Sequence, residues 1–327
     1  MGRCGDNDLV VLGWVHFHTR NEGLADELGG VTRYIQWGPR GNPFVAVLRY
    51  LVQFAMTMVV LVRDRPRRVV CMVPPFPALM ACLLYGGLAR AAVVGDVHTY
   101  PLVGSTWRPF LPFTAWLLRR SRGAVVTNEA NAAILRRRDV HTLVLDDTPA
   151  LRDGRDSQDP AGGRQIVVPA SFDSDEPILE IIGAARLHPD MHVVITGRDT
   201  AGVLVDVDMP PNVEVTGFVP RSSYEELLAG ADVVCALTTL DNCMQQAGYE
   251  AMAWGRPLVT SNTYELRSYF GEAARYASPR AASIGAAWAD ALAARDDLHA
   301  KMVALGRSKA AARPGEIAAL RELLGLG

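Results

Sequence analysis

The chain is poor in the features that mark covalent or metal frameworks. Its 327 residues include five cysteines, Cys4, Cys71, Cys82, Cys235 and Cys243. An odd number with no Cys-x-x-Cys pair argues against a disulfide scaffold and a zinc knuckle. No apolar run reaches the ~20 residues of a membrane span. The most apolar stretch, YLVQFAMTMVVLV at 50–62, has 13 residues, a Gln inside and arginines near both ends, so a buried helix is expected. The start, MGRCGDNDLVVLGWV, lacks a signal-peptide pattern, because its apolar run is short and turns polar at HFHTR. A cytoplasmic setting is the expectation. No motif interleaves aromatic and basic residues for nucleic acid, which is not expected as a partner.

What is present suits a soluble protein of two ordinary domains, with 49% hydrophobic and 21% charged residues. The net charge of −2 hides an asymmetry. Residues 1–165 carry 20 Arg against 14 acidic residues, a charge of +6, and residues 166–327 carry 13 basic against 21 acidic residues, a charge of −8. A basic half can face an anionic membrane or an acidic substrate, or be a solvated surface that the other half balances.

Apolar runs recur in two series. LVVLGWV (9–15), RRVVCMV (67–73), AAVVGDV (91–97), GAVVTN (123–128) and TLVLDD (142–147) alternate with helix-like segments. Runs this continuous suit parallel strands buried on both faces. DDTPALRDGRDSQDPAGGR (146–164), rich in Asp, Gly and Pro, then reads as a linker. The series restarts with QIVVPAS (165–171), HVVITG (192–197), VEVTGFV (213–219), ADVVCAL (231–237) and PLVTS (257–261). RSSYEELLAG predicts a helix with Ser222 or Ser223 as N-cap and Gly230 just past its end. The fold class expected is α/β: two doubly wound Rossmann-like domains, 1–160 and 161–327, facing a cleft, with function on the loops after the strands.

One such loop leads TTLDNCMQQAGYEAMAWGRPLVTS, residues 238–261. A helix over QQAGYEAMAWG, ended by Gly255, would offer free backbone N–H groups near Cys243–Gln246 to an anion such as a diphosphate. Glu250, one to two turns on, can accept hydrogen bonds from the two hydroxyls of a ribose. It can equally satisfy local backbone or pair with Arg256.

The order VVITGRD, NVEVTGFVPRSSYEELLAG, ADVVCALTTLDNCMQQAGYEAMAWGRPLVTS resembles the nucleotide-sugar domain of GT-B glycosyltransferases, in particular the retaining family 4, over residues 190–275. The resemblance implies a donor site formed by Gly197, Arg198, Phe218, Val219, Asn242, Met244, Gln245, Gln246 and Glu250, with Glu250 as the second carboxylate of a Glu-x7-Glu pair, holding the ribose. The first carboxylate is replaced by Asn242, beside Asp241. The small G-F-G-L turn is replaced by CMQQ, so Gln245 and Gln246 can bring amides to the site. The family's Arg and Lys after the first strand of this domain are also missing. Ser171 and Glu176 stand about there, leaving Arg198 as the nearest cation for the diphosphate.

AAVVGDVHTY resembles the strand whose His reaches the donor sugar across the cleft, which makes His98 the implied sugar or transition-state contact. Asp96 can orient the imidazole, act as base in an inverting reaction, or form a hydrogen-bonded pair with no chemistry. His16, His18, Arg20 and Asn21 follow the first strand where the family often has a Gly-rich phosphate loop, and acceptor or phosphate contact is expected of them. No third ligand joins His16 and His18, so no metal is expected. DVD at 206–208 precedes a strand rather than ending one and reads as a loop. The helices at 44–62 and 74–90 and the arginines of WLLRRSRG can form packing helices or a basic, apolar membrane face.

The resemblance thus implies a metal-independent, retaining glycosyltransferase. It would need no cofactor beyond a nucleotide-diphosphate sugar as co-substrate, and its unidentified acceptor would be lipid-linked or a natural product. Two rivals are a nucleotide-sugar epimerase of the same fold and a catalytically weak homologue that binds a partner enzyme.

Overall fold

A computed structural model describes residues 8–38, 43–104, 106–147, 151–152 and 164–326. The chain divides into two units, Met1–Asp147 with Arg313–Gly327, and Thr148–Ala312. Most of the expected linker, including the expected boundary at 160/161, lies outside the described residues. The C-terminal segment from Arg313, expected in the second domain, belongs by packing to the first unit.

In the first unit six parallel strands, β1 (Leu9–Gly13), β2 (Val31–Tyr34), β3 (Arg68–Val73), β4 (Ala92–Val97), β5 (Gly123–Val126) and β6 (Thr142–Val144), lie in the order β2-β1-β3-β4-β5-β6. Helices α1 (Thr19–Leu28), α2 (Pro43–Asp64), α3 (Phe76–Ala89), α4 (Tyr100–Val103), α5 (Leu111–Leu118) and α6 (Glu129–Arg136) connect them. Val10, Leu12, Val69 and Cys71 pack into one apolar cluster, while Leu9, Val11, Val70 and Val94 pack into another with Leu320 and Leu324. Alternate residues of each strand thus face two cores, which is why the strand sequences are apolar throughout.

The second unit repeats the plan. Strands β7 (Gln165–Pro169), β8 (His192–Thr196), β9 (Val213–Gly217), β10 (Val233–Ala236), β11 (Leu258–Ser261) and β12 (Ala274–Ala277) run parallel in the order β12-β11-β10-β7-β8-β9. Helices α7 (Ile178–Leu187), α8 (Arg221–Gly230), α9 (Gln246–Ala253), α10 (Tyr264–Phe270) and α11 (Ala281–Ala293) connect or follow them, and α12 (Arg295–Leu323) ends the chain. Strand order reverses between β1 and β3 in the first sheet and between β7 and β10 in the second. At such switch points the loops part and leave room for a ligand.

Every expected strand is present. Two more, β2 (VTRY) and β12 (ARYA), are edge strands with partly exposed residues and polar positions, so they lack the apolar continuity that marks the others. In α8 the N-cap is Pro220, no side chain caps the helix, and Gly230 is its last residue, against the expected serine cap.

The largest difference concerns 50–62. The helix is 22 residues long, because the apolar segment extends back to Pro43, and it is not buried. By length and composition alone it could cross a membrane. Its inner face, with Gln53, Thr57 and Leu61, is buried, while Val47, Leu51 and Val59 are 65%, 64% and 66% exposed.

Candidate functional site

Each unit gathers its expected residues at the carboxyl end of its own sheet. In the second unit β10 leads through the 237–245 loop into α9. Gln245 is the N-cap and Gln246 the first helical residue, close to expectation. Gly255 ends the helix in the left-handed region, at φ 62°, its N–H donating to Met252 O and that of Arg256 to Ala251 O. Only glycine holds this conformation without strain.

Glu250 is half-buried and pairs with neither local backbone nor Arg256. It accepts a hydrogen bond from the Tyr224 hydroxyl. Burial raises its pKa, opposed by hydrogen bonds from Tyr224 and Gln246 and by the Arg221 charge. Burial and the neighbouring Glu250 carboxylate push the Tyr224 phenol far above its ordinary value. Tyr224 escaped the sequence reading, in which RSSYEELLAG stood only as a capped helix.

Gln245 serves the loop. Its side-chain amide donates to Leu237 O at 2.8 Å, which fixes the turn and commits that N–H to the loop. Its Oε1 is buried without a donor among the described residues. Met244 packs on the apolar cluster that contains Tyr249 and Met252, and Asn242 sits in the left-handed region at φ 57°, which asparagine tolerates better than most residues. Arg198, exposed after β8, lies with its guanidinium 5.8 Å from the Phe218 ring centroid after β9; Val219, next to Phe218, is partly buried. Gly197 has no room for a side chain, since a Cβ there would lie 1.9 Å from Ala170 O.

The place of the missing basic pair is acidic. Glu176 accepts hydrogen bonds from the backbone N–H groups of Ser171 at 2.9 Å and Phe172 at 2.8 Å, and burial raises its pKa against those bonds. Asp175 ties the loop after β7 to the loop after β10 by accepting from the Thr238 hydroxyl and, at its carbonyl, from Thr239 N–H at 2.7 Å. The second switch point is thus bridged by hydrogen bonds and carries carboxylates.

In the first unit the central feature is a buried ion pair. Arg20, 5% exposed, directs Nε at both oxygens of Asp96, 3.0 Å from each, and Nη2 lies 2.9 Å from Oδ1. Its Nη1 pairs with Asp147. This corrects the expectation that Arg20 meets an acceptor or phosphate, because both sides of the guanidinium are occupied and water is excluded. It also removes the option of Asp96 as base. Burial raises the Asp96 pKa, but the Arg20 charge and His98 outweigh it and hold the carboxyl well below the usual range.

His98 Nε2 lies 3.4 Å from Asp96 Oδ2, within ion-pair distance, and makes no hydrogen bond of good geometry among the described residues. The His18 ring meets the His98 ring edge-on, with centroids 4.9 Å apart. Burial, followed by the His98 charge, lowers the His18 pKa to about 4. His18 is further held by Tyr34, whose hydroxyl donates to its carbonyl at 3.0 Å. His16 is exposed. Asn21 is fully buried, with no hydrogen-bond partner at either side-chain atom among the described residues; the structure gives no physical reason for this. Among the described residues no group of three potential ligands could hold a metal. Asp147, the second partner of Arg20, was read as the start of a linker, since nothing in LVLDD distinguishes an ion-pair carboxylate from a turn residue.

Residues 177–307 match the family model described as Glycosyl transferases group 1. The chain is similar in fold to the Anabaena protein HepE in complex with UDP and glucose, with a TM-score of 0.70, 11% identity and coverage of 97% of this chain and 99% of that one. It is similar likewise to sucrose-phosphate synthase from Thermosynechococcus elongatus, with a TM-score of 0.71, 15% identity and coverage of 96% and 97%. A glycosyltransferase from Rickettsia africae matches at a TM-score of 0.67, 11% identity and 97% of each chain. No curated protein matches the chain. The architecture is therefore that of the GT-B glycosyltransferases, two parallel six-stranded sheets with surrounding helices. The matched family segment and these neighbours together support a glycosyltransferase.

Proposed function

We propose that this protein is a metal-independent, retaining glycosyltransferase whose second unit binds a nucleotide-diphosphate sugar. Glu250 carries the reading: it is a half-buried carboxylate on the helix that follows a switch-point strand, inside the segment that matches the family. In this reading Glu250 accepts the ribose hydroxyls, and the first N–H groups of α9 with Arg198 receive the diphosphate. The bond from the anomeric carbon to phosphate oxygen breaks through an oxocarbenium-like centre, the bond to the acceptor oxygen forms, and the acceptor's proton leaves with the diphosphate. His98, beside Asp96, serves the transferred sugar. The enzyme works at the cytoplasmic face of a membrane, which the basic, apolar side of its first unit meets.

Binding of a panel of nucleoside diphosphates, measured calorimetrically, tests this. UDP comes first, since HepE was solved with UDP-glucose. Glu250→Ala is expected to weaken the preferred nucleotide by about 1.5–3 kcal/mol, or about 10- to 150-fold, through lost charge-assisted hydrogen bonds. Unchanged affinity in the folded variant would remove Glu250 from the site. A second reading, a binding homologue with little turnover, draws on Asn242 in place of a carboxylate and on Glu176 where a cation is wanted. It predicts nucleotide binding without donor hydrolysis or transfer.

A further inference from the structure

Two carboxylates of this chain are withdrawn from water, and they are satisfied in opposite ways. Asp96, 1% exposed, is met at both oxygens by the Arg20 guanidinium, so its charge is cancelled inside the protein. Glu250, half-buried on α9, is met by neutral groups. The Tyr224 hydroxyl of α8 donates to its Oε2, and Gln246, four residues earlier on α9, adds a second hydrogen bond. The cation whose charge Glu250 feels, Arg221, is itself engaged: its Nε donates to Glu225 Oε1 at 3.0 Å, and Arg152 reaches the same oxygen at 3.3 Å. A neutral donor eases the burial of a carboxylate without cancelling its charge. Glu250 therefore keeps its power to attract further donors, which Asp96 has lost.

The Tyr224 hydroxyl is not required by packing. The ring lies with Leu227 and Met244 against the apolar cluster that holds Tyr249 and Met252 of α9, a place that phenylalanine would fill as well. What the hydroxyl adds is control of Glu250. Burial and the adjacent carboxylate push the phenol far above its ordinary pKa, so it stays protonated and donates at any working pH. Burial alone would drive Glu250 toward its neutral form, and the bond from Tyr224 is the first of the influences opposing it. The two oxygens of a carboxylate offer about four lone-pair positions, so one bond at Oε2 leaves others for a ligand. Because α8 and α9 supply both donors in advance, the side chain need not be ordered when a ligand arrives.

We propose that Tyr224 is a positioning residue of the second unit's ligand site, and that by holding Glu250 in place as an acceptor it sets how sharply the site tells a ribonucleotide from a nucleotide without ribose hydroxyls. Tyr224 acts through Glu250 and not on the ligand. The proposal rests on the reading of Glu250 as the ribose acceptor and adds to it the residue that gives that acceptor its selectivity.

The test is calorimetric binding of UDP, and of dideoxyuridine diphosphate, which lacks both ribose hydroxyls, to the native chain, Tyr224→Phe and Glu250→Gln. Native protein should prefer UDP by about 10- to 150-fold, the range of hydrogen bonds to a charged group. Tyr224→Phe should bind UDP about tenfold more weakly and the dideoxy analogue as before. Its deficit against native protein should grow as pH falls from about 8 to 6, because without the hydroxyl the buried carboxylate protonates sooner. Arg221 and Glu225 of α8 are the other charges around Glu250, and the ionisation of the nucleotide phosphate near about pH 6 cancels in the ratio of the two proteins. A second readout needs no nucleotide: NMR titration of the Glu250 carboxyl carbon, assigned by its loss in Glu250→Gln, should show a higher midpoint in Tyr224→Phe. Thermal melts check folding, and Tyr224→Met, which also lacks the hydroxyl, takes the same measurements if the phenylalanine variant does not fold. Equal losses for UDP and its dideoxy analogue, as a purely structural tyrosine gives, or an unchanged midpoint overturns the proposal. Full UDP preference in Tyr224→Phe with lost preference in Glu250→Gln overturns the role of Tyr224 alone. Full preference in both variants overturns the ribose reading with it.

Discussion

Replacing Arg20 by Met tests whether the pair at the centre of the first unit is as dry as its geometry states. Arg20 and Asp96 are 5% and 1% exposed, and the guanidinium meets both carboxylate oxygens. Methionine keeps the length of the side chain and removes the charge, leaving Asp96 buried beside His98 and near His18. An uncompensated buried charge of this kind costs about 3–5 kcal/mol. At about 2–4 °C per kcal/mol for a unit of this size, the melting temperature should fall by about 6–20 °C.

The pH dependence makes the test sharper. In the native protein the Asp96 pKa lies below its unfolded value of about 3.9, so its contribution is full at neutral pH and is lost as pH falls through the folded value. Without Arg20, burial dominates and the pKa rises above the unfolded value. The carboxylate then destabilises at neutral pH and is relieved by protonation, so the gap between variant and native protein should narrow as pH falls from about 7 to 5. The double variant Arg20→Met/Asp96→Leu should recover most of the loss, because replacing both members of a buried pair with apolar groups is often neutral. Asp147, the other partner, has a side chain 14% exposed and retains some solvation. Guanidinium unfolding followed by tryptophan fluorescence reads all three proteins. A loss under about 1 kcal/mol in Arg20→Met, flat across pH, would mean that water reaches Asp96, and the argument would fail.

Two other predictions concern the histidines. His98→Ala should leave nucleoside diphosphate binding intact while lowering turnover, or slow donor hydrolysis, by roughly 10²-fold if the imidazole moves a proton or stabilises charge; a stable variant with full specific activity would end that assignment. The His18 pKa of about 4 lies below the unfolded 6.5, so its contribution is present above pH 6.5 and is lost as pH falls toward 4. His18→Leu should flatten the stability profile across that window, in which His98, Asp96, Asp147 and Arg20 are the charges around the ring, and an unchanged slope would refute burial as the cause.

The legible parts of this chain are those whose sequence signal and physical cause coincide. A strand between two helix layers must be apolar along its buried centre, so the IVV of QIVVP and the VVI of HVVIT declare themselves. An edge strand such as VTRY needs no such continuity and stays silent. The helix at 43–64 misled for a related reason: apolar composition reports an affinity for apolar surroundings without saying whether the protein supplies them, and here its own core covers only one face. Glu250 stood out as a carboxylate one to two turns into a helix that follows a strand, and it lies on such a helix, α9. Arg20, Asp96 and Asp147 were not read as a unit, since each ends or follows a different element and only the parallel sheet brings them to one edge. The same logic bears on the second switch point. Asp175 and Glu176 bond the backbone and hydroxyl groups of the loops after β7 and β10, so their negative charge belongs to the structure of the loop itself. A diphosphate arriving there would therefore depend on Arg198 and on the backbone N–H groups of α9, and on Glu250 for the ribose, which is why the nucleotide affinity of Glu250→Ala decides more about this protein than any other single measurement on its second unit.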